Sequence, residues 1–313
     1  MINQLKIVFV GTPEFAVPYL DSLLDDERFK VMGVITQPDK PVGRKQELIP
    51  TPIKQLAEKK GLKIWQSENV KKDETLVREL KLLDLDLLVV VAFGQIIPQT
   101  ILAIARYGNI NVHPSLLPKY RGASPIQSAI LAGEKKTGLS IMLMDEKMDH
   151  GPILSQQEVL LTGEETNESL HRRLAEIGKE ILKETIIKFV AGEIKPQEQN
   201  HDETSFCATI SKDDARIDWA KSAREIKRKI HAFYSWPATW TTWNDKRLKI
   251  FPPVEIDEQN IASGSVVCND GRLIIGCGEK SLIIKKLQLE GKKEMSGEDF
   301  LRGYKEIAGA KLT

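Results

Sequence analysis

The chain opens with short apolar runs separated by stretches of helical spacing. LKIVFV (5–10) has the character of a buried strand and stops at Gly11-Thr12-Pro13. EFAVPYLDSLL follows, with Phe15, Leu20, Leu23 and Leu24 roughly at helical spacing. KVMGVIT (30–36), DLLVVVAF (86–93) and GNINVH (108–113) predict further strands. The run at 86–93 has no polar alternation and should be buried on both faces. Helical patterns lie between the strands, near 51–60, 73–82 and 98–105. Strand–helix–strand alternation predicts an α/β fold, a parallel sheet covered by helices with right-handed crossovers. Such sheets take ligands beyond the carboxyl ends of their strands, so residues 11–13, 37–46, 93–95 and 113–118 are the first places to look for chemistry.

A long helix is predicted from about 167 to 191, with Asn167 as its N-cap and Gly192 at its end. Residues 193–205 (EIKPQEQNHDETS) are polar, with no apolar pattern beyond Ile194, and predict a linker. A basic helix (222–232) and short strands follow: ATWTTW, RLKIF, GSVVC, RLIIGC and SLIIKKL, separated by Asn-Asp, Asp-Gly and Gly-Glu turns. That pattern predicts a small β-barrel or sandwich over 206–313, and so a two-domain chain with its first domain at 1–192.

A length of 313 residues suits two domains, and 41% apolar with 28% charged residues excludes disorder, collagen and coiled coil as descriptions of the whole. No apolar run approaches the roughly 18 residues of a membrane span, and the first residues do not form a signal peptide. Three cysteines without a Cys-x-x-Cys spacing argue against a disulfide scaffold or zinc knuckle, so a reducing cytoplasm is expected. The net charge of +1 conceals an asymmetry. Residues 205–313 hold 19 basic and 15 acidic side chains, which fits an electrostatic accessory module.

Strand alternation puts Asn111 and His113 on one side of the chain at a strand's carboxyl end. An Asn amide can donate to a developing oxyanion, and His is a base near neutral pH; the same pair can equally serve as turn and capping groups. In MLMDEKMDHGPIL, either Asp145 or Asp149 could orient the His113 imidazole, and chemistry alone does not decide between them. A metal site from His113, Asp149 and His150 has no supporting spacing. Gly11-Thr12-Pro13 is neither a dinucleotide fingerprint nor a Walker loop. The segment PDKPVGRKQELIP (38–50), with Arg44-Lys45, is long for a strand–helix connection, as functional or merely solvated loops are. In KSAREIKRKI (221–230), Ala223, Ile226 and Ile230 share one face, leaving Arg224, Lys227, Arg228 and Lys229 for phosphate contacts or for solvent. Phe233, Tyr234, Trp236, Trp240 and Trp243 sit in a strand pattern, as core or as base-stacking groups.

With these segments in view, the sequence resembles the methionyl-tRNA formyltransferase family over essentially its whole length. The resemblance rests on GTPEF (11–15), TQPDKPVGR (36–44), VAFGQIIP (91–98), NVHPSLLPKYRGASPIQ (111–127), MDEKMDHGPIL (144–154), ARIDW (215–219) and AFYSWPATW (232–240). It implies a Rossmann-like formyltransferase domain using 10-formyltetrahydrofolate as co-substrate, and a C-terminal OB-like barrel that contacts tRNA. By position, Asn111, His113 and Asp149 match the family's catalytic trio, and Ser115-Leu116-Leu117-Pro118 its folate-binding segment. Arg44 with Lys45 matches the insertion that approaches the acceptor end of tRNA, and Phe15 part of the methionine pocket. Arg224, Lys227 and Arg228 become the expected tRNA contacts. The family commonly has glycine where Lys45 stands, and some members have His-Gly where His113-Pro114 stands. The implied reaction is formylation of initiator methionyl-tRNA by a cytoplasmic monomer, with no metal and no membrane. The rivals are an enzyme formylating an amino sugar nucleotide, a formyltetrahydrofolate hydrolase, and an RNA-binding protein with a silent formyltransferase-like domain.

Overall fold

A computed structural model describes residues 4–42 and 46–313. They form two compact units. The first takes the chain up to Ala123 together with Thr137–Val159 and His171–Cys207, and the second takes Ser124–Lys136, Leu160–Leu170 and Ala208–Thr313.

The first unit is organised by a seven-stranded sheet. Its strands are β1 (Leu5–Gly11), β2 (Phe29–Thr36), β3 (Ile64–Gln66), β4 (Leu87–Val91), β5 (Asn109–His113), β6 (Lys136–Leu143) and β7 (Ile153–Leu160). Their spatial order is β7-β6-β5-β4-β1-β2-β3. Strands β1 to β5 pair in parallel, as the alternation predicts, whereas β6 runs antiparallel to β5. β4 is buried at every position, so its continuous apolar run has the cause assigned to it in the sequence. Helices α1 (Val17–Leu24), α2 (Pro52–Lys59), α3 (Glu74–Lys81) and α4 (Gln99–Leu102) fill the crossovers. Thr51 and Asp73 cap α2 and α3 by accepting from the Lys54 and Leu76 amides. On one face, Val8, Val10, Ile35, Leu88 and Val90 pack with Leu76 and Leu80 of α3, and burying each such side chain stabilises by about 1.5–3 kcal/mol.

Residues 193–205, expected as a linker, lie along the first unit. Gln197 bridges to Ile153, the Arg121 amide donates to the Ser205 carbonyl at 2.9 Å, and Phe206–Cys207 pairs in parallel with Arg121–Gly122. Backbone and amide hydrogen bonds attach this stretch, so it needs no apolar periodicity.

In the second unit, α5 (Pro125–Ala132) buries Pro125, Ile126, Ala129 and Ile130 and packs against α7 (Ala223–Ala232). Between them in sequence, α6 (Asn167–Val190), whose residues from His171 onward belong to the first unit, is the long helix the periodicity predicts, with Thr166 rather than Asn167 accepting the capping bond from the Ser169 amide. α7 begins with a complete capping box, Ser222 with Glu225, and buries Ala223, Ile226 and Ile230, the face read from its spacing. Strands β8 (Trp240–Trp243), β9 (Lys246–Asp257), β10 (Val266–Asn269), β11 (Arg272–Gly276) and β12 (Ser281–Leu289) form an antiparallel sheet in the order β8-β9-β12-β11-β10. It curls into a half-barrel, in keeping with the small β-barrel or sandwich that the turn-separated strands predict. Pro252 and Pro253 have no N–H to donate, and the β9–β12 register slips between Phe251 and Val254. Ile226, Ile230, Trp243, Leu248, Leu282 and Phe300 belong to its core. No helix among the described residues is long and apolar enough to cross a membrane.

Candidate active site

The end of β5 carries the site. Alternation aims Asn111 and His113 the same way, and the loop after β6 brings a carboxylate to both. Asp149 Oδ1 accepts from Asn111 Nδ2 at 3.5 Å, and Asp149 Oδ2 stands 3.6 Å from His113 Nδ1. The firm bond to this carboxylate comes from the Gly122 amide, 2.8 Å from Oδ2. Gly122 has a φ of 114°, and a Cβ there would run into the Cys207 carbonyl, so only glycine places that amide. Asp149 itself holds a left-handed φ of 49°.

His113 is 4% exposed, and its Nε2 lies 2.9 Å from the Tyr120 carbonyl. A carbonyl only accepts, so Nε2 carries the proton of the neutral ring and Nδ1 turns a lone pair toward Asp149. A proton arriving at Nδ1 would create a cation held between a carbonyl and a carboxylate. Asn111 is half-buried beside it and supplies an amide donor. The three groups place an amide donor, an imidazole and a carboxylate side by side, the kinds of group that acyl transfer can use.

The fold separates Asp145 from Asp149, which sequence chemistry left undecided. Asp145 Oδ2 pairs with His150 Nδ1 at 2.6 Å inside its own loop, and the His150 ring stacks on His201 at 4.2 Å. Among the described residues, no group of His, Cys, Asp and Glu stands in position to hold a metal ion.

Ser115 is fully buried and donates its hydroxyl to the Lys119 carbonyl at 2.6 Å. The Leu117 amide donates to Ser140 Oγ, whose hydroxyl is donated to the Ser115 carbonyl, and Gln156 donates to the Leu117 carbonyl at 2.9 Å. Residues 115–118, with Leu117 buried and Leu116 and Pro118 half-buried, thus form a loop fixed from below just beyond the carboxyl end of β5. Phe15 is 3% exposed in the turn after β1, against Tyr19 and the His171 ring at 4.5 Å. Burial holds His171 below the ordinary histidine range. Arg44 and Lys45 lie outside the described residues.

The cations of α7 part company. Arg224 is exposed. Lys227 Nζ pairs with Glu164 at 2.6 Å, and Arg228 reaches the Ala132 carbonyl at 3.4 Å with its guanidinium against Gly133. Lys229 Nζ donates to the Arg216 carbonyl at 2.6 Å, and burial lowers its pKa. Phe233 and Trp243 are core, whereas Trp236 is 52% exposed. Trp240 lies under the guanidinium groups of Arg247 and Arg216, 4.5 and 5.8 Å from its ring centre.

Sequence reasoning gave no role to Tyr120, Arg121, Gly122 or Gln199. Three of them adjoin the His113 loop, and a glycine following a strand-end motif is a usable signal. Gln199 left none, because one amide in a polar stretch has no period.

A family model described as formyl transferase matches residues 5–186, and one described as formyl transferase, C-terminal domain, matches 209–305. These matches place the chain in the formyl transferase class. The chain is 41% identical to the methionyl-tRNA formyltransferase of Citrifermentans bemidjiense over 312 residues, covering 99% of this chain and 97% of that protein. It is also 41% identical to the protein of the same name from Caldanaerobacter subterraneus over 301 residues, covering 96% and 97%. The chain belongs to the methionyl-tRNA formyltransferase family. HypX from Aquifex aeolicus, solved in complex with tetrahydrofolic acid, superposes with a TM-score of 0.67 at 18% identity. That match covers 97% of this chain and 48% of HypX, so the chain spans about half of HypX. The N-formyltransferase from Helicobacter canadensis, in complex with folinic acid and dTDP-3-aminofucose, superposes with a TM-score of 0.67 at 19% identity, covering 93% and 100%. These two likenesses concern the fold.

Proposed function

We propose that the chain transfers a formyl group from 10-formyltetrahydrofolate to the α-amine of methionine on initiator methionyl-tRNA, in the cytoplasm and as a monomer. The observation that carries the reading is the convergence of Asn111 and His113 on Asp149 at the carboxyl end of β5. The co-substrate supplies a formyl carbon on N10 that is open to attack by an amine. Attack forms the new C–N bond and puts negative charge on the formyl oxygen, where the Asn111 amide donates. The amine must lose a proton, and His113 Nδ1 takes it, because the resulting cation is held by Asp149 and the Tyr120 carbonyl. The C–N10 bond then breaks, N10 takes up the proton that His113 had accepted, and tetrahydrofolate leaves. The loop at 115–118 faces the folate, and Phe15 borders the methionine side chain. No step needs a metal.

The acceptor is supported by identity to the curated relatives over nearly the full chain, C-terminal unit included. Exposed Arg224, with Arg44 and Lys45, would meet the phosphates of tRNA, and Lys227 and Arg228 would join them where their Glu164 and Ala132 tethers open. An amino sugar nucleotide is the competing acceptor, as in the Helicobacter structure's ligand, and it gives no reason for a basic helix. Formyl transfer from 10-formyltetrahydrofolate should be measured with initiator methionyl-tRNA, a dTDP-amino sugar and buffer in parallel. Formylmethionyl-tRNA as main product is the expected result. Transfer to the sugar or to water alone would keep the trio and overturn the acceptor.

A further inference from the structure

Asp149 poses a mechanical problem. Its φ of 49° is a strained backbone state for a residue with a side chain. Its contacts to Asn111 and His113, at 3.5 and 3.6 Å, are too long to fix the carboxylate. The Gly122 amide anchors one carboxylate oxygen at 2.8 Å, and the backbone of the loop needs a hold of its own.

We propose that Gln199 and Arg121 form a clamp that positions Asp149, making the 193–205 stretch part of the catalytic machinery. This rests on Asp149 being the partner of His113 in the reaction above. Gln199 Nε2 donates to the Asp149 carbonyl at 3.0 Å and to the Gly151 carbonyl at 2.7 Å. One amide thus grips the loop on both sides of His150. Its Oε1 accepts from Arg121 Nε at 3.2 Å and from a terminal guanidinium nitrogen at 2.6 Å. That pairing fixes the orientation of the amide. A flipped Gln199 would set its NH2 against the guanidinium and its oxygen against two carbonyls. Gln199 and Arg121 are 5% and 4% exposed, so water does not compete for these bonds. Arg121 also donates to His201 Nδ1 at 2.9 Å, and the His201 ring stacks on His150. The same stretch accepts from the Arg121 amide through the Ser205 carbonyl at 2.9 Å, and so seats the Tyr120–Arg121 peptide whose carbonyl holds His113. It therefore braces both groups that would flank a protonated His113.

The clamp touches no substrate, so these are positioning residues, and the test must show that they act through Asp149. Gln199→Glu keeps the size and the acceptor for Arg121 but removes both N–H donors to the loop. A misplacement on the order of 1 Å typically costs about 10²-fold. We expect kcat for initiator methionyl-tRNA formylation to fall about 10- to 100-fold, with KM for both substrates within about threefold. Arg121→Lys, which keeps the charge but cannot present a fork to one oxygen, should lose most of the same factor. Gln199→Met, an apolar near-isostere, gives a second reading should Gln199→Glu fail to fold. In an Asp149→Asn background the clamp substitutions should add less than about twofold, because the group they position is already gone. A kcat within twofold of the parent for folded Gln199→Glu or Gln199→Met, or a full additional loss on Asp149→Asn, overturns the clamp alone. If Asp149→Asn itself leaves kcat unchanged, the reading of the trio falls and the clamp falls with it.

Discussion

The strand-end site and the basic helix each present three nominated side chains, and the fold treats the two sets in opposite ways. Asn111, His113 and Asp149 are separated by up to 38 residues, yet they converge on one carboxylate. Arg224, Lys227 and Arg228 sit within two turns of one helix, yet they diverge. Lys227 turns to Glu164, Arg228 to the Ala132 carbonyl, and Arg224 to solvent. Sequence proximity on a helix therefore specifies a face but not the partners of that face. Separation in sequence is no obstacle, because β6 runs antiparallel beside β5 and the loop after it carries Asp149 back to Asn111 and His113.

The largest effect expected from this comparison lies in the converging set. Asn111→Ala removes an oxyanion donor from a half-buried position and should lower kcat by about 10²–10³, roughly 3–4 kcal/mol, with little change in thermal midpoint. His113→Ala should lose at least as much rate. It should also destabilise by about 0.5–1.5 kcal/mol, since the part-buried Tyr120 carbonyl loses one hydrogen bond and keeps the Cys207 thiol. Single-turnover formylation beside thermal unfolding separates the two variants. Unchanged turnover in either one would remove that residue from the mechanism.

A smaller effect tests the diverging set. If Arg224 alone among the three is free to meet phosphate, Arg224→Ala should reduce the slope of log Kd against log salt for tRNA by about 0.7–0.9. Lys227→Ala and Arg228→Ala should move that slope by less than half as much. Lys227→Ala should cost under about 1 kcal/mol of stability, as partly exposed ion pairs do. Equal slopes lost in all three variants would mean that the Glu164 and Ala132 tethers open on RNA, and the contrast would collapse.

How far the sequence could be read follows the same division. β1, β2, β4 and β5 are legible because each is an apolar run long enough to be buried in a parallel sheet. β3 has three residues, too few to show a period. Asn111 and His113 are legible because a strand end fixes their direction. Choosing Asp149 over Asp145 is not, since the choice depends on Asp145 pairing with His150 within a loop. Least legible is Gln199. Its amide bonds two carbonyls and a guanidinium brought together by the fold, and nothing in EIKPQEQNHDETS announces that. The α5–α7 packing is hidden for a related reason, since an apolar helical face declares that it is buried without saying against what.

The smallest effect is a pH dependence of stability, and it touches both units. Burial holds His171 below the ordinary value of 6.5. Burial does the same to His231, with the Lys227 charge adding to it. Above about pH 6.5 both rings are neutral, folded or unfolded, and contribute no pH dependence. Below it the unfolded chain takes up protons that the folded chain resists, so stability falls as pH falls. The slope cannot exceed about 1.4 kcal/mol per pH unit for each ring, and it ends once the pH drops below the folded value. Asp26, Asp39, Glu79 and Glu225 also have lowered values, led by hydrogen bonds from Arg28, Lys54, Lys63 and Ser222. Their contribution is lost only as pH falls below the ordinary carboxylate values of about 4–4.5, which leaves the interval from pH 6.5 to 5 to the histidines. Urea midpoints measured across that interval should decline, and His231→Leu should flatten part of the decline by removing one of the two groups. A flat parent curve would show that one of these rings gains a partner when protonated, and that burial alone does not set its charge.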